Sequence, residues 1–476
     1  MSKIKIALVV LLIVVFLSSL VLISGCKGTV SETTVAETET TAAETETTAS
    51  ETTASEATLK TTAEKVTLRI SHGWTTSSDK AGSEEWPSMV DDFAKQYSNL
   101  TISQEIVGGD EMFTKIRTDA AADNLPDIMF YWGGNNIAEI AKAGKLLDME
   151  EYLKVSKEVK KEDMLDKGWT YYTIDGKIYG IPLSMYVGYL VYNKEIFDKF
   201  GLEPPKTYEE FAKISKVLNE NDIIPSNVTS KGGNPGHFWF SDLLMQMPNG
   251  REEQANLPTS WNFTTDNILN VAKIIEQQRK DGIFPKDTIA NGDWGPAFAL
   301  YNEGKAAMCY SYPWMSATMK PEIFENSVLM DLPKMPGGTV DPSTIVQGSV
   351  NYGFIINAKS WADPNKQPYI LAFADWVMTD EIQTALTEQG SIVSVKLAKQ
   401  GLKDDLNIPQ MTKDAINFSK GKALEDTIWD KWPADQPSHS VFVKQLDELF
   451  AGNVTAEQFV KTIQAALDEG KTSASE

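Results

Sequence analysis

Between Lys27 and Glu64 the chain contains no aromatic residue; Thr, Glu, Ala and Ser dominate, as in Ser31-Glu32-Thr33-Thr34 and Ala36-Glu37-Thr38-Glu39-Thr40. Such a tract cannot bury enough apolar surface to offset the entropy of ordering it. It therefore contributes nothing to a core, and sequence able to fold begins near Val66. The tract is expected to be a disordered tether with an r.m.s. reach of roughly 35 Å. Its short repeats are compositional and do not mark a solenoid, and its Thr density could carry O-linked glycans.

The segment before the tether reads as an address. Lys3 and Lys5 precede an almost wholly apolar run from Ile6 to Leu22, which ends in Ile23-Ser24-Gly25-Cys26. A run of about 18 apolar residues can just cross a bilayer, but small residues and a cysteine close this one as a cleavage site would. The stretch resembles a bacterial lipoprotein signal. That resemblance implies a signal peptide over 1–25, cleavage before Cys26, a lipid on its sulfur, and a lipidated linker over 26–65. Attachment is then by acyl chains rather than a protein span, and the head lies outside the cytoplasm. Cys309 is then the one remaining free thiol, so no intramolecular disulfide can form. Within Ala307-Met308-Cys309-Tyr310 it reads as a small buried hydrophobe.

Charge excludes one class of partner. With 66 acidic residues against 44 Lys and Arg, the net charge is −22, and removing Lys3 and Lys5 makes it −24. Nucleic acid is not the main partner, because phosphate binding needs clustered cations. The three histidines, His72, His237 and His439, show no ligand spacing. They read as hydrogen-bonding residues, and no metal or cofactor is expected. Tyr171-Tyr172 could ligate ferric iron but has no supporting pattern. Gly232-Gly233-x-x-Gly236 lacks the spacing of a dinucleotide loop, and no nucleotide-loop, zinc-protease, hydrolase-elbow or redox motif occurs. Carboxylate pairs for glycan hydrolysis are rarely adjacent in sequence, so composition leaves that reading open.

The head alternates strand and helix patterns. Val66, Leu68 and Ile70 alternate as in a strand. Trp86, Met89, Val90, Phe93 and Tyr97 fall on one helix face. Ile128–Tyr131 reads as a buried strand, and Thr207 with Glu210 as the capping box of a helix continued by Phe211, Ser215 and Leu218. Asn351–Ile356 predicts a strand, Pro364 to Met378 a helix, and Thr455–Leu467 a last helix. The class is α/β, arranged as two lobes in contact because no long linker interrupts the head.

Four stretches then carry a specific resemblance. Gly180-Ile181-Pro182-Leu183 leads through Tyr189-Leu190-Val191-Tyr192-Asn193-Lys194 to Gly201-Leu202-Glu203-Pro204-Pro205-Lys206-Thr207-Tyr208-Glu209-Glu210-Phe211. Asn124-Leu125-Pro126-Asp127-Ile128 precedes it. Asn302-Glu303-Gly304-Lys305-Ala306-Ala307-Met308 runs to Pro313-Trp314, and Gly353-Phe354-Ile355-Ile356-Asn357 is followed by Trp376-Val377-Met378-Thr379-Asp380-Glu381. Over about residues 66–465 the chain resembles bacterial extracellular solute-binding proteins of family 1, the group that includes maltose-binding protein. Departures are Tyr189, where a small residue is usual, Asn124-Leu125 in place of small residues, and Tyr312-Pro313 in place of Gly-Pro.

The resemblance implies a periplasmic-binding-protein type II fold, with two α/β lobes closing on a ligand by a hinge motion. Crossings are expected near Leu183–Val187, Thr344–Val350 and Ser391–Val395. Lobe 1 is then 66–183 plus 348–391, and lobe 2 is 187–344 plus 395–476. The implied function is capture of a sugar or oligosaccharide, without catalysis, for an ABC transporter permease, by a monomer. Rival readings are the same fold holding a polyamine or polyol phosphate, and a tethered glycoside hydrolase.

Many of the 12 tryptophans flank Gly or Pro, as cleft-rim residues do, and an indole face suits a pyranose C–H face. Resemblance points to Trp132 and Trp314 as stacking aromatics, one per lobe, and to Trp74 at the first ligand loop. Tyr186 at the first crossing and Trp432 in the C-terminal segment are further candidates. Asn135, Asn136, Asp110 and Asn351 could meet sugar hydroxyls. Glu111 opens a helix, where a charge favourable to the helix N-terminus is as good a reading as ligand contact.

Overall fold

A computed structural model describes residues 64–74, 80–316, 318–389, 393–400, 406–433 and 436–473. The expected signal peptide, Cys26 and the tether up to residue 63 lie outside these residues. Among the described residues no helix is long and apolar enough to cross a membrane.

The strands of the two main sheets are β1 (Val66–His72), β2 (Leu100–Ile106), β3 (Ile128–Tyr131), β4 (Ile181–Val187), β5 (Tyr189–Asn193), β6 (Ile224–Ser226), β7 (Ala306–Ser311), β8 (Ser327–Met330), β9 (Ile345–Ile356), β10 (Val393–Ser394) and β11 (Ala423–Glu425). The first sheet has the order β10-β4-β9-β3-β1-β2, with β11 pairing the start of β9. β1 runs parallel to β2 and β3, while β9 is antiparallel to β3 and β4. The second sheet has the order β8-β5-β7-β6. Each sheet with its helices forms one lobe of a mixed α/β fold.

The helices that matter below are α1 (Lys80–Lys95), α2 (Gly109–Ala121), α3 (Asn135–Lys142), α4 (Asp166–Tyr171), α5 (Tyr208–Asn219), α6 (Gly236–Met245), α7 (Asp266–Lys280), α8 (Gln367–Val377), α9 (Val395–Gln400), α10 (Gln436–Ala451) and α11 (Ala456–Ser473). α1 buries Trp86, Val90 and Phe93 as its spacing predicts. It stops at Lys95, so Tyr97 packs on Phe93 from the turn beyond. α5 starts at the expected capping box. Glu210 N–H donates to Thr207 Oγ1 at 3.3 Å, and Thr207 N–H to Glu210 Oε2 at 3.2 Å. α11 runs six residues past the expected end at Leu467.

The Pro126-Asp127 pair has a structural reason. Asp127 is buried, and its Oδ2 accepts from Arg69 N at 2.7 Å. Its Oδ1 accepts from Ser360 Oγ and, at 2.8 Å, from Lys366 Nζ. One carboxylate thus fastens β1, the entry to β3 and the segment leading into α8. A buried charge is tolerated only when satisfied in this way.

In the second lobe, α6, α7, α10 and α11 pack on one another. Phe240, Phe263, Phe442 and Phe459 meet at their centre, with ring centroids 5.8–6.3 Å apart. Cys309 lies fully buried in β7, where Asn227 Nδ2 approaches its sulfur at 3.1 Å. Burial pushes its thiol far above the ordinary range, so it remains protonated and unreactive. It is the small buried hydrophobe read from its apolar run.

The chain passes from β4 to β5 through Gly188, whose N–H donates to Gln347 O at 2.8 Å. A Cβ there would lie 2.7 Å from the Tyr310 hydroxyl, so only glycine fits this approach. Tyr312 and Tyr310 hydroxyls both reach Gln347 Oε1, at 2.8 and 3.1 Å. The start of β9 is thereby keyed to β7 of the second sheet.

Candidate functional site

A cavity of about 290 Å³ opens between the two lobes. One wall comes from the first lobe. The loop after β3 supplies Gly133, Gly134, Asn135 and Asn136, α2 supplies Phe113, Thr114 and Arg117, and α4 ends in Tyr171. Gly134 N–H donates to Tyr171 O at 2.7 Å, and a Cβ on Gly133 would sit 2.5 Å from that same oxygen. Glycine at 133 is therefore what lets α4 approach the loop and bring Tyr171 to the cavity. Phe113 and Arg117 are four residues apart and share a helix face.

The opposite wall comes from the C-terminal region. It comprises Trp429, Asp430, Trp432 and Pro433 after β11, His439, Ser440 and Val443 on α10, and Gly232 from a short hairpin. Trp429 is half-buried and held between two imidazoles, His237 at 4.6 Å and His439 edge-on at 4.4 Å. Asn135 Nδ2 donates to Trp432 O, so one side chain spans both walls.

The hairpin strands 230–231 and 234–235 are fixed by a single carboxylate. Asp447 accepts from Ser230 Oγ at 2.6 Å, Gly232 N at 2.8 Å and Gly233 N at 3.0 Å. Gly233 in turn packs against the Trp429 ring. Asp447→Ala is expected to cost about 1–3 kcal/mol, because it strands three donors. It should also speed amide exchange at Gly232 and Gly233. Unchanged exchange there would show that Asp447 does not hold the loop.

Electrostatics divide two acids near Trp429. Burial first, then the charge of Asp426, pushes the Asp430 carboxyl up to about 6. Burial alone would raise Asp426 as well, but Lys431 and Lys167 outweigh it and hold that carboxyl below the usual range. Asp426 pairs with Lys431 at 2.7 Å. Burial raises the Tyr171 phenol well above its ordinary value and, with His439 adding to it, lowers His237 well below, so both stay neutral near pH 7. Among the described residues no cluster of His, Cys, Asp and Glu is arranged to hold a metal.

The residues singled out in the sequence land in different places. Asn135, Asn136 and Trp432 line the cavity. Trp432, however, is 1 % exposed, stacks on Phe442 at 4.5 Å and donates its indole N–H to Ser438 at 2.9 Å. Trp132 is half-buried, 5.0 Å from both Phe113 of the wall and Tyr352. Trp74 is buried in the lobe-1 core, 4.6 Å from Trp86 and 5.3 Å from Phe130. Tyr186 is buried in β4 against Phe238 and Tyr312. Glu111 is exposed on the first turn of α2 and does not line the cavity. Trp314 belongs to a short helix, Pro313–Ser316. Its side chain, like those of Asp110 and Asn351, lies outside the described residues.

Phe113, Arg117, Tyr171, Trp429, Asp430 and His439 complete the walls and were not foreseen as ligand contacts. Trp429 had a signal, since it lies three residues before Trp432. Together the walls offer aromatic faces, amides, hydroxyls, one open guanidinium and one carboxyl. That set suits reversible capture of a small polar molecule with apolar faces.

Comparison with known proteins agrees with this geometry. Residues 77–384 match the family described as bacterial extracellular solute-binding protein. An uncharacterised ABC transporter extracellular-binding protein of Pyrococcus horikoshii is 23% identical over 418 residues, covering 84% of this chain and 88% of the relative. The galactooligosaccharide-binding protein of Bacillus subtilis is 25% identical over 306 residues, covering 58% of this chain and 68% of its own. Among solved structures, a chitin oligosaccharide binding protein superposes with a TM-score of 0.73 at 21% identity, covering 86% of this chain and 100% of that one. The shared fold is the two-lobed one.

Proposed function

The chain belongs to the bacterial extracellular solute-binding protein family, and on that premise we propose that it captures a sugar or oligosaccharide in the interlobe cavity and hands it to an ABC permease. The observation that supports this most is the cavity wall itself, where Tyr171 and Trp429 stand among Asn135, Asn136, Ser440 and Asp430. Aromatic faces suit the C–H faces of a pyranose, and planar polar groups suit its hydroxyls. The oligosaccharide bound by the Bacillus subtilis relative is of this chemistry.

In this reading the protein is a monomeric receptor without catalytic activity. Closure of the lobes is the event that binding stabilises. The crossings run through Gly188 and the start of β9. The third is taken near Ser391–Val395, just before α9, where Lys396 Nζ donates to Met378 O at 2.7 Å. The lobes of this reading are residues 66–183 with 348–391, and 187–344 with 395–476. The N-terminus is a lipoprotein signal cleaved before Cys26, and the acylated cysteine tethers the head outside the cytoplasm. Mass spectrometry of the membrane fraction tests that point.

The function is tested by intrinsic tryptophan fluorescence, titrated with mono- and oligosaccharides, spermidine and polyol phosphates. A saturable change with a glycan, and none with the other solutes, is expected. Response only to spermidine or a polyol phosphate would overturn the sugar assignment. Consumption of the glycan would overturn the receptor reading.

A further inference from the structure

Asp430 lines the cavity with its two carboxylate oxygens in different situations. Oδ2 is committed to the local turn, accepting from Thr427 Oγ1 at 2.8 Å and Thr427 N at 3.2 Å. Asp430 N–H returns a bond to Thr427 Oγ1 at 3.2 Å. Oδ1 accepts no hydrogen bond from any described residue. A half-buried carboxylate oxygen without a donor is costly unless something supplies one.

We infer that Asp430 is a specificity-determining residue of the cavity: its open oxygen accepts from hydroxyl groups of a neutral ligand, and the same carboxylate turns away acidic sugars. This rests on the reading of the cavity as a sugar site and adds to it the sign of the ligand's charge. An ionised carboxylate is acceptor-only, so it rewards a donor pair and repels a second carboxylate placed against it.

The charged and titratable surroundings are mixed. On its own segment lie Asp426 and Lys431, which pair with each other. Lys167 and Tyr171 approach from α4, Tyr186 from β4, Tyr312 from beyond β7, Arg117 from α2 and His439 from α10. Arg117 has no ion-pair or hydrogen-bond partner among the described residues, and it is exposed at the rim. Because the nearest lysine is committed to Asp426, Asp430 keeps its own charge when ionised. Burial and Asp426 place its ionisation near 6.

Binding is then linked to proton release. A hydroxyl donor prefers the carboxylate, so affinity for a neutral sugar is full above the ionisation of Asp430 and falls as pH drops through it. With ionisation at about 6, binding at pH 5 is about tenfold weaker than at pH 7. A uronate would show the opposite sign, because it needs the protonated acid.

The test measures Kd by calorimetry at pH 7 and pH 5 for melibiose, raffinose and maltotriose as neutral probes, and for digalacturonate as the acidic one. In the wild type the neutral probe that binds should weaken about tenfold on acidification. Asp430→Asn, which keeps an acceptor for Thr427, should bind it at least tenfold more weakly at pH 7 and lose the pH dependence. His439→Gln, which removes the neighbouring imidazole, should keep the tenfold drop. A wild-type Kd unchanged with pH, an Asp430→Asn profile like that of the wild type, or tighter binding of digalacturonate would each overturn the inference while leaving the sugar site standing. If none of the probes binds at either pH, the sugar reading itself falls and the role of Asp430 falls with it.

Discussion

Trp432→Ala is expected to lower stability by about 3–5 kcal/mol, the usual cost of removing a large buried aromatic. Trp432 is 1 % exposed and lies against Phe442, Phe263 and His439. Its indole N–H donates to Ser438 Oγ, so truncation leaves a void and removes that hydrogen bond. Urea unfolding followed by circular dichroism measures the loss. A change under about 1 kcal/mol would mean that the ring is not part of the core.

Trp429→Ala, three residues away, should do the reverse. Its ring is half-buried and its support comes from two imidazoles rather than a packed apolar shell. Loss of about 2 kcal/mol of ligand binding is expected, roughly thirtyfold in Kd, as for an aromatic anchor at a binding surface. Stability should change far less than in Trp432→Ala. The titration described above, repeated on both variants, separates them. If Trp429→Ala binds glycan as the wild type does while Trp432→Ala stays folded and does not, the two roles have been assigned to the wrong residues.

The different fates of these two tryptophans show what a sequence can and cannot reveal. Local order was legible wherever short-range chemistry dictates it. The alternating Val66, Leu68 and Ile70, the Thr207–Glu210 box and the buried run Ile128–Tyr131 all sit where their spacing places them. Asp127 also carried a readable signature, although its partners Ser360 and Lys366 lie more than 230 residues away.

The cavity was less legible because its walls are assembled from segments remote in sequence. Phe113 and Tyr171 face Trp429 and His439 only after the C-terminal segment has returned across the cleft. Proximity to Gly or Pro marked Trp74 and Trp432 as rim candidates, but it could not tell a loop that faces solvent from one that folds inward. Trp74 turns toward Trp86 and Phe130, where apolar neighbours outbid the cleft. Tyr171 was visible as half of a tyrosine pair, but its placement depends on the close approach at Gly133, which no local pattern announces.

The state of Cys309 has a practical consequence for watching the lobes move. Besides Cys26, the sequence holds no other cysteine. Its sulfur is sealed in β7 and held protonated, so thiol-directed dyes and spin labels find no nucleophile there in the folded protein. Cysteines introduced on the exposed faces of the two lobes can therefore be labelled selectively in the head without Cys26, with Cys309 left in place. Distances across the cleft can then be recorded with and without glycan while the core keeps its native side chain.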